Sequence, residues 1–87
     1  MEKVTGLNKE VNVVGYYFKN AGRRLLGFPK KVEFDGRSVV FTDNGRRRPL
    51  NKAGRQVQLF RMSDGQASYQ LEFDAADASW KLLSIGA

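Results

Sequence analysis

Five cations fall within thirteen residues in the stretch DNGRRRPLNKAGR, residues 43–55: Arg46, Arg47, Arg48, Lys52 and Arg55, against the single acid Asp43. A guanidinium presents a planar fork of donors that matches phosphate and carboxylate oxygens two at a time. A cluster this dense is therefore equipped to grip a polyanion. The same composition also describes a solvated loop, because a small domain needs surface charge to stay in solution. Arg23 and Arg24 add two cations upstream, after the aromatic run Tyr16-Tyr17-Phe18. On an extended chain successive side chains point to opposite faces. Tyr16 and Phe18 are expected in the core, which turns Tyr17 outward, where a ring can stack on a base.

Other chemistries are poorly supplied. The chain has no Cys and no His, so thiolate zinc sites, Cys-His and Ser-His-Asp systems are excluded. Neither G-x-x-x-x-G-K-[ST] nor G-x-G-x-x-G occurs. Glu72 and Asp74, two apart on an extended chain, share a face with Asp77 close by; oxygen ligands of this kind suit a hard cation. Cross-strand pairing of these acids with cations such as Arg61, or simple exposure, is the favoured reading. The expectation is a non-catalytic protein with no metal and no cofactor.

The 87 residues carry a net charge of +6, unevenly spread. Residues 1–61 hold fourteen Lys/Arg against five Asp/Glu, a net of +9, whereas residues 62–87 hold Lys81 against Asp64, Glu72, Asp74 and Asp77, a net of −3. A basic surface of this kind attracts nucleic acid or acidic proteins. No stretch approaches the roughly 20 apolar residues of a membrane span, and the N-terminal region lacks the apolar core of a signal peptide. A soluble cytoplasmic protein without membrane contact is expected.

These groups must be positioned by strands. Turn signals recur at Asn20-Ala21-Gly22, Asp35-Gly36, Asn44-Gly45, Lys52-Ala53-Gly54 and Asp64-Gly65. Asp-Gly and Asn-Gly suit two-residue hairpin loops because these residues tolerate positive φ; the loops ending at Gly22 and Gly54 read as longer ones. Residues 32–34 and 38–41 form one hairpin, and 56–62 and 67–73 another. Tyr69, Leu71 and Phe73 alternate with polar residues as a half-buried strand does, with Val57 and Leu59 as the matching apolar face. Residues 79–85 form a last strand with Trp80, Leu82 and Ser84 on one side and Lys81, Leu83 and Ile85 on the other. Pro49 places 46–50 on a sheet edge or in an irregular loop.

Residues 1–87 thus read as a single small β domain, mostly β, an antiparallel meander closed into a barrel or rolled sheet. The alternative is α+β with one N-terminal helix around 9–26, since Val14, Phe18, Ala21 and Leu25 also fall at helical spacing. Gly15 and Gly22 within that span favour strand, turn, strand. In a simple meander the turns holding Gly22, Gly36 and Gly54 share one end. Arg23, Arg24, Arg37, Lys52 and Arg55 would then converge there, with Arg46–Arg48, Lys30 and Lys31 at the other. In outline such a fold is similar to SH3-like or OB-like modules, a likeness of architecture alone.

The leading expectation is a module that binds nucleic acid, single-stranded DNA or RNA favoured, through its phosphates and with weak sequence specificity. Arg46, Arg47, Arg48, Lys52 and Arg55 would carry the contacts, with Arg23, Arg24 and Tyr17 assisting. One alternative is an interaction subunit or inhibitor that docks its arginines on an acidic protein. Another is self-association of the basic face with the acidic 64–77 region of a second copy.

Overall fold

A computed structural model describes residues 4–86, which form nine strands and no helix: β1 (Val4–Val13), β2 (Tyr16–Ala21), β3 (Arg24–Pro29), β4 (Lys31–Phe34), β5 (Arg37–Val40), β6 (Arg46–Lys52), β7 (Arg55–Ser63), β8 (Ser68–Asp74) and β9 (Ser79–Gly86). The mostly-β class is the one expected. Residues 9–26, the span of the alternative helix, are strand broken at Val14-Gly15 and turning at Gly22-Arg23, the strand, turn, strand that Gly15 and Gly22 favour. Val14, Phe18 and Leu25, which lie on its apolar stripe, are exposed rather than buried.

Seven strands form one antiparallel sheet in the order β5-β4-β1-β9-β8-β7-β6, and β2-β3 form a separate hairpin. The arrangement is a rolled sheet and not a closed barrel. The edge strands β5 and β6 share no ladder; the chain after β5 touches the far side through one backbone bond, from Thr42 N–H to the Ser63 carbonyl at 2.7 Å. The simple meander also needs correction. β6 to β9 run consecutively and β4 pairs with β5, but β9 pairs with β1 and β1 with β4, while the β2-β3 hairpin leaves the sheet. The residue that causes the departure is Gly15, whose φ of 81° breaks what reads as one strand from Val11 to Asn20. Strand direction alternates across the sheet. The Asp35-Gly36 turn therefore lies at the opposite end from the Ala53-Gly54 turn, and Arg37 does not join Lys52 and Arg55. The Lys30 carbonyl accepts the Phe41 N–H at 2.8 Å, next to the Thr42 bond to Ser63, so the start of β4 lies toward the Arg46 end of β7 and not the Lys52 end.

Local chemistry explains the hairpins. Asp35-Gly36 and Ala53-Gly54 have positive φ at both central residues, the geometry of a type I′ turn, whose twist matches that of paired strands. The loop at Gly54 is thus shorter than expected, with Lys52 directly opposite Arg55. The loop at Gly22 is short too, with Ala21 opposite Arg24. Asp64-Gly65 instead opens a longer loop between Ser63 and Ser68. Asp64 Oδ1 accepts the N–H groups of Gln66 and Ala67, both at 2.8 Å, and Oδ2 accepts the Tyr69 hydroxyl at 3.1 Å. Asn44-Gly45 is no hairpin turn either; it lies in the connection from β5 to β6.

Register decides which residues meet in the core. Phe60 and Met62 of β7 face Leu71 and Tyr69 of β8, so the inward face of β7 is this pair; Val57 is also buried, but on the opposite face, across from Asp74, and Leu59 is only partly buried there. A bulge at Leu83 shifts β9 by one residue between Leu82 and Ser84. Trp80, Leu82 and Ile85 consequently all face the core, while Ser84 sits opposite Gln70. Val32, Leu71 and Leu82 are fully buried. Around them Phe60 and Trp80 lie 5.0 Å apart, Phe73 and Trp80 4.8 Å, and Phe41 and Tyr69 5.4 Å between ring centroids. Each such pair adds roughly 0.5–1.5 kcal/mol beyond its buried area. The hairpin covers this core with Phe28, edge-on to Phe60 at 6.1 Å.

Candidate nucleic-acid interface

β6 is an edge strand, which suits Pro49, a residue with no N–H to give to a second neighbour. Its three consecutive arginines divide between the two faces. Arg46 and Arg48 are exposed on the outer face, and Arg47 turns inward. Pairing outward from the Lys52–Arg55 closing pair brings Arg46 directly opposite Arg61 on β7, followed by Gln70 on β8 and Ser84 on β9. Arg48 follows in the next row, opposite Leu59. Among the described residues, Arg46, Arg48 and Arg61 make no ion pair. Like charges placed directly opposite destabilise a sheet. This corner of the molecule therefore holds positive charge in excess of what folding compensates.

The other end of β6 differs. The Lys52 ammonium lies 3.1 Å from Glu72 Oε1, and the Arg55 guanidinium bonds Asp74 and lies 3.9 Å from Asp77. Glu72 and Asp74 are only 6% and 7% exposed, and a carboxylate taken out of water needs a partner. Two of the five clustered cations are thus neutralised within the fold. The expected cross-strand pairing of Glu72 and Asp74 with cations is present, with Lys52 and Arg55 as the partners in place of Arg61, and neither acid is exposed. Among the described residues no group of three or more acids, Cys or His is placed to hold a metal ion. Asp77 is held below the usual carboxylate range, first by the Ser79 hydroxyl that it accepts at 2.6 Å.

Arg47 stands apart. Its guanidinium lies over the Phe60 ring, 5.2 Å from the centroid, and Nη1 donates to the Gly27 carbonyl at 2.9 Å. Burial, and next the nearby Arg24 cation, lower its pKa from the usual arginine value. Arg23 and Arg24 are both exposed at the hairpin tip. The structure therefore brings Arg24 and Arg47 together on one side of the β6 edge, and Arg46, Arg48 and Arg61 on the other.

Tyr17 faces inward. Its ring stacks on Phe28 at 5.2 Å with 11° between planes, and its hydroxyl accepts the Gly45 N–H at 3.1 Å. Burial raises its pKa. The outward rings are Tyr16 and Phe18, 50% and 62% exposed, which reverses the expected assignment of the trio. The same alternation rule applies; the hairpin's departure from the sheet inverts which face is the core. Arg61, read from the sequence only as a partner for Glu72 and Asp74, thus joins the basic cluster, and Tyr16 and Phe18, read as core, are the exposed rings. Arg61 was within reach, since the register set by the turn at Gly54 places it opposite Arg46.

No family model, curated protein or solved structure matches this chain. No helix among the described residues is long and apolar enough to cross a membrane.

Proposed function

We propose that this protein is a non-catalytic module that binds nucleic acid, single-stranded DNA or RNA in preference to duplex, through contacts to the phosphate backbone with weak sequence specificity. The observation that carries the reading is the trio Arg46, Arg48 and Arg61, gathered on adjacent strands without a carboxylate partner among the described residues. Bound phosphates would relieve their mutual repulsion, and each guanidinium can hold phosphate oxygens bidentately. Lys52 and Arg55 drop out of the principal contact set, because their charges are already matched by Glu72, Asp74 and Asp77. Arg23 and Arg24 at the hairpin tip extend the basic surface around the edge of β6.

A second reading has one observation in its favour. Phe18 and Leu25 are diagonal neighbours on the exposed face of the hairpin, 62% and 64% exposed, close to Arg23 and Arg24. An acidic protein with an apolar contact surface would use both features.

Fluorescence anisotropy with labelled single-stranded DNA, single-stranded RNA and duplex DNA, across a salt series, separates the two. Arg46→Ala/Arg48→Ala/Arg61→Ala should lose most of the affinity and lower the salt slope by about 0.7 per phosphate contact removed on a single strand. Lys52→Ala/Arg55→Ala should change both little. No binding to any of the three nucleic acids at low salt would exclude this reading and favour the acidic protein.

A further inference from the structure

Between the β2-β3 hairpin and the inner face of β7, β8 and β9 lies a cleft of about 500 Å³, within the ~300–1,000 Å³ typical of ligand sites. Tyr16 stands at its mouth, with Phe73 and Trp80 along the sheet side. The Tyr16 and Trp80 centroids are 6.3 Å apart, with 42° between planes. Arg47, Gln56 and Gln58 bring polar groups to the same cleft.

We infer that this cleft receives one unstacked nucleobase of a bound single strand, and that Arg47 anchors it there. The inference rests on the phosphate-binding reading above and adds the site that makes a base, and not only a backbone, part of recognition. Aromatic walls supply faces for a planar ring, a contact that every base can make. The two glutamine amides each carry donors and an acceptor, which match the polar edge of a base and are wasted on a purely apolar ligand. Arg47 is half-buried, has no carboxylate partner among the described residues and lies near a second cation, Arg24. A cation in that position is complementary to an acceptor-rich or anionic guest. Its hydrogen bond to Gly27 and its seat on Phe60 fix the guanidinium in advance, with N–H groups left over for a ligand. A duplex cannot present a base this way without unpairing it, so the cleft also accounts for a preference for single strands.

Trp80 is the sole tryptophan, and its emission reports directly on the cleft. The test titrates the full chain with a single-stranded oligonucleotide and with an abasic strand of equal length, following both affinity and Trp80 fluorescence. The strand with bases should quench Trp80 and bind roughly tenfold more tightly than the abasic strand. Tyr16→Ala, at a half-exposed position, should erase that difference while leaving the salt slope unchanged; Gln58→Ala should reduce it and serves as the second variant if the first misfolds. Equal affinity for the two strands with unchanged Trp80 emission overturns the base site and leaves the phosphate reading standing. Failure of both strands to bind overturns both.

Discussion

The backbone N–H of Gly45 donates to the Tyr17 hydroxyl at 3.1 Å, and this bond ties the β2-β3 hairpin to the segment that leads into the arginine-bearing edge strand. Gly45 is buried, and a Cβ on it would lie 2.5 Å from Met62 Sδ and 2.9 Å from the Tyr17 oxygen. Methionine is flexible, yet Met62 is itself only 1% exposed and can yield only by disturbing the core. Gly45→Ala should cost about 1–3 kcal/mol, as overpacking does. Tyr17→Phe should cost about 1–3 kcal/mol, since it leaves a buried N–H without a partner. Urea denaturation of each variant measures both.

The Arg46–Arg61 pair sets stability against binding. Arg61→Glu replaces repulsion with attraction directly across the strands and should raise stability by about 0.2–1 kcal/mol. The same change should weaken nucleic-acid binding more than Arg61→Ala does, because it adds a negative charge to the phosphate site. Thermal denaturation and anisotropy on one preparation read the two effects together. A variant that gains stability and keeps its affinity would remove Arg61 from the site.

Arg55 is a structural cation. Arg55→Ala strands the carboxylate of Asp74, which is only 7% exposed. The guanidinium side of the pair is well exposed, so the cost should be about 1–2 kcal/mol, between that of surface pairs and that of fully buried ones. Denaturant titration should show this loss in Arg55→Ala and none in Arg46→Ala, which has no acid to abandon and relieves the repulsion with Arg61.

Asp64 confers an acid-side dependence. The backbone N–H groups of Ala67 and Gln66 are the main causes holding its carboxyl below the usual range. Because the folded-state pKa lies below that of the unfolded chain, about 3.9, the stabilisation is present above that value. It is lost as pH falls through the folded pKa. Asp64→Asn should flatten this part of the acid unfolding curve. Tyr69, raised first by burial and then by its bond to Asp64, acts on the alkaline side. Its contribution is present below about pH 10 and is lost as pH rises through the folded value.

Much of the sheet is visible in the sequence because its signals are local. Asp35-Gly36 fixes one hairpin, and the alternation of Tyr69, Leu71 and Phe73 marks a strand whose inward face is as expected, although Glu72 and Asp74 on its other face are buried as well. What escapes depends on contacts distant in the chain. Nothing near Val11 announces that it will lie opposite Trp80. Val57 and Leu59 compete with Phe60 and Met62 for the core within one strand. The longer loop at Asp64 helps settle the matter, and a one-residue change of register would reverse it. For the site, the number of cations is plain but their availability is not. Lys52 and Arg55 are neutralised by acids some twenty residues away that only folding brings across β7.

The matched charges at one end of β6 and the bare ones at the other give the hairpin an electrical polarity. Long-range fields of this kind act before contact, turning a protein as it approaches an oppositely charged surface. A polyanion drifting toward this molecule would meet the Arg46 corner first. Encounter would therefore be directional, with productive collisions over-represented, and the association rate should fall steeply as added ions shorten the reach of that field.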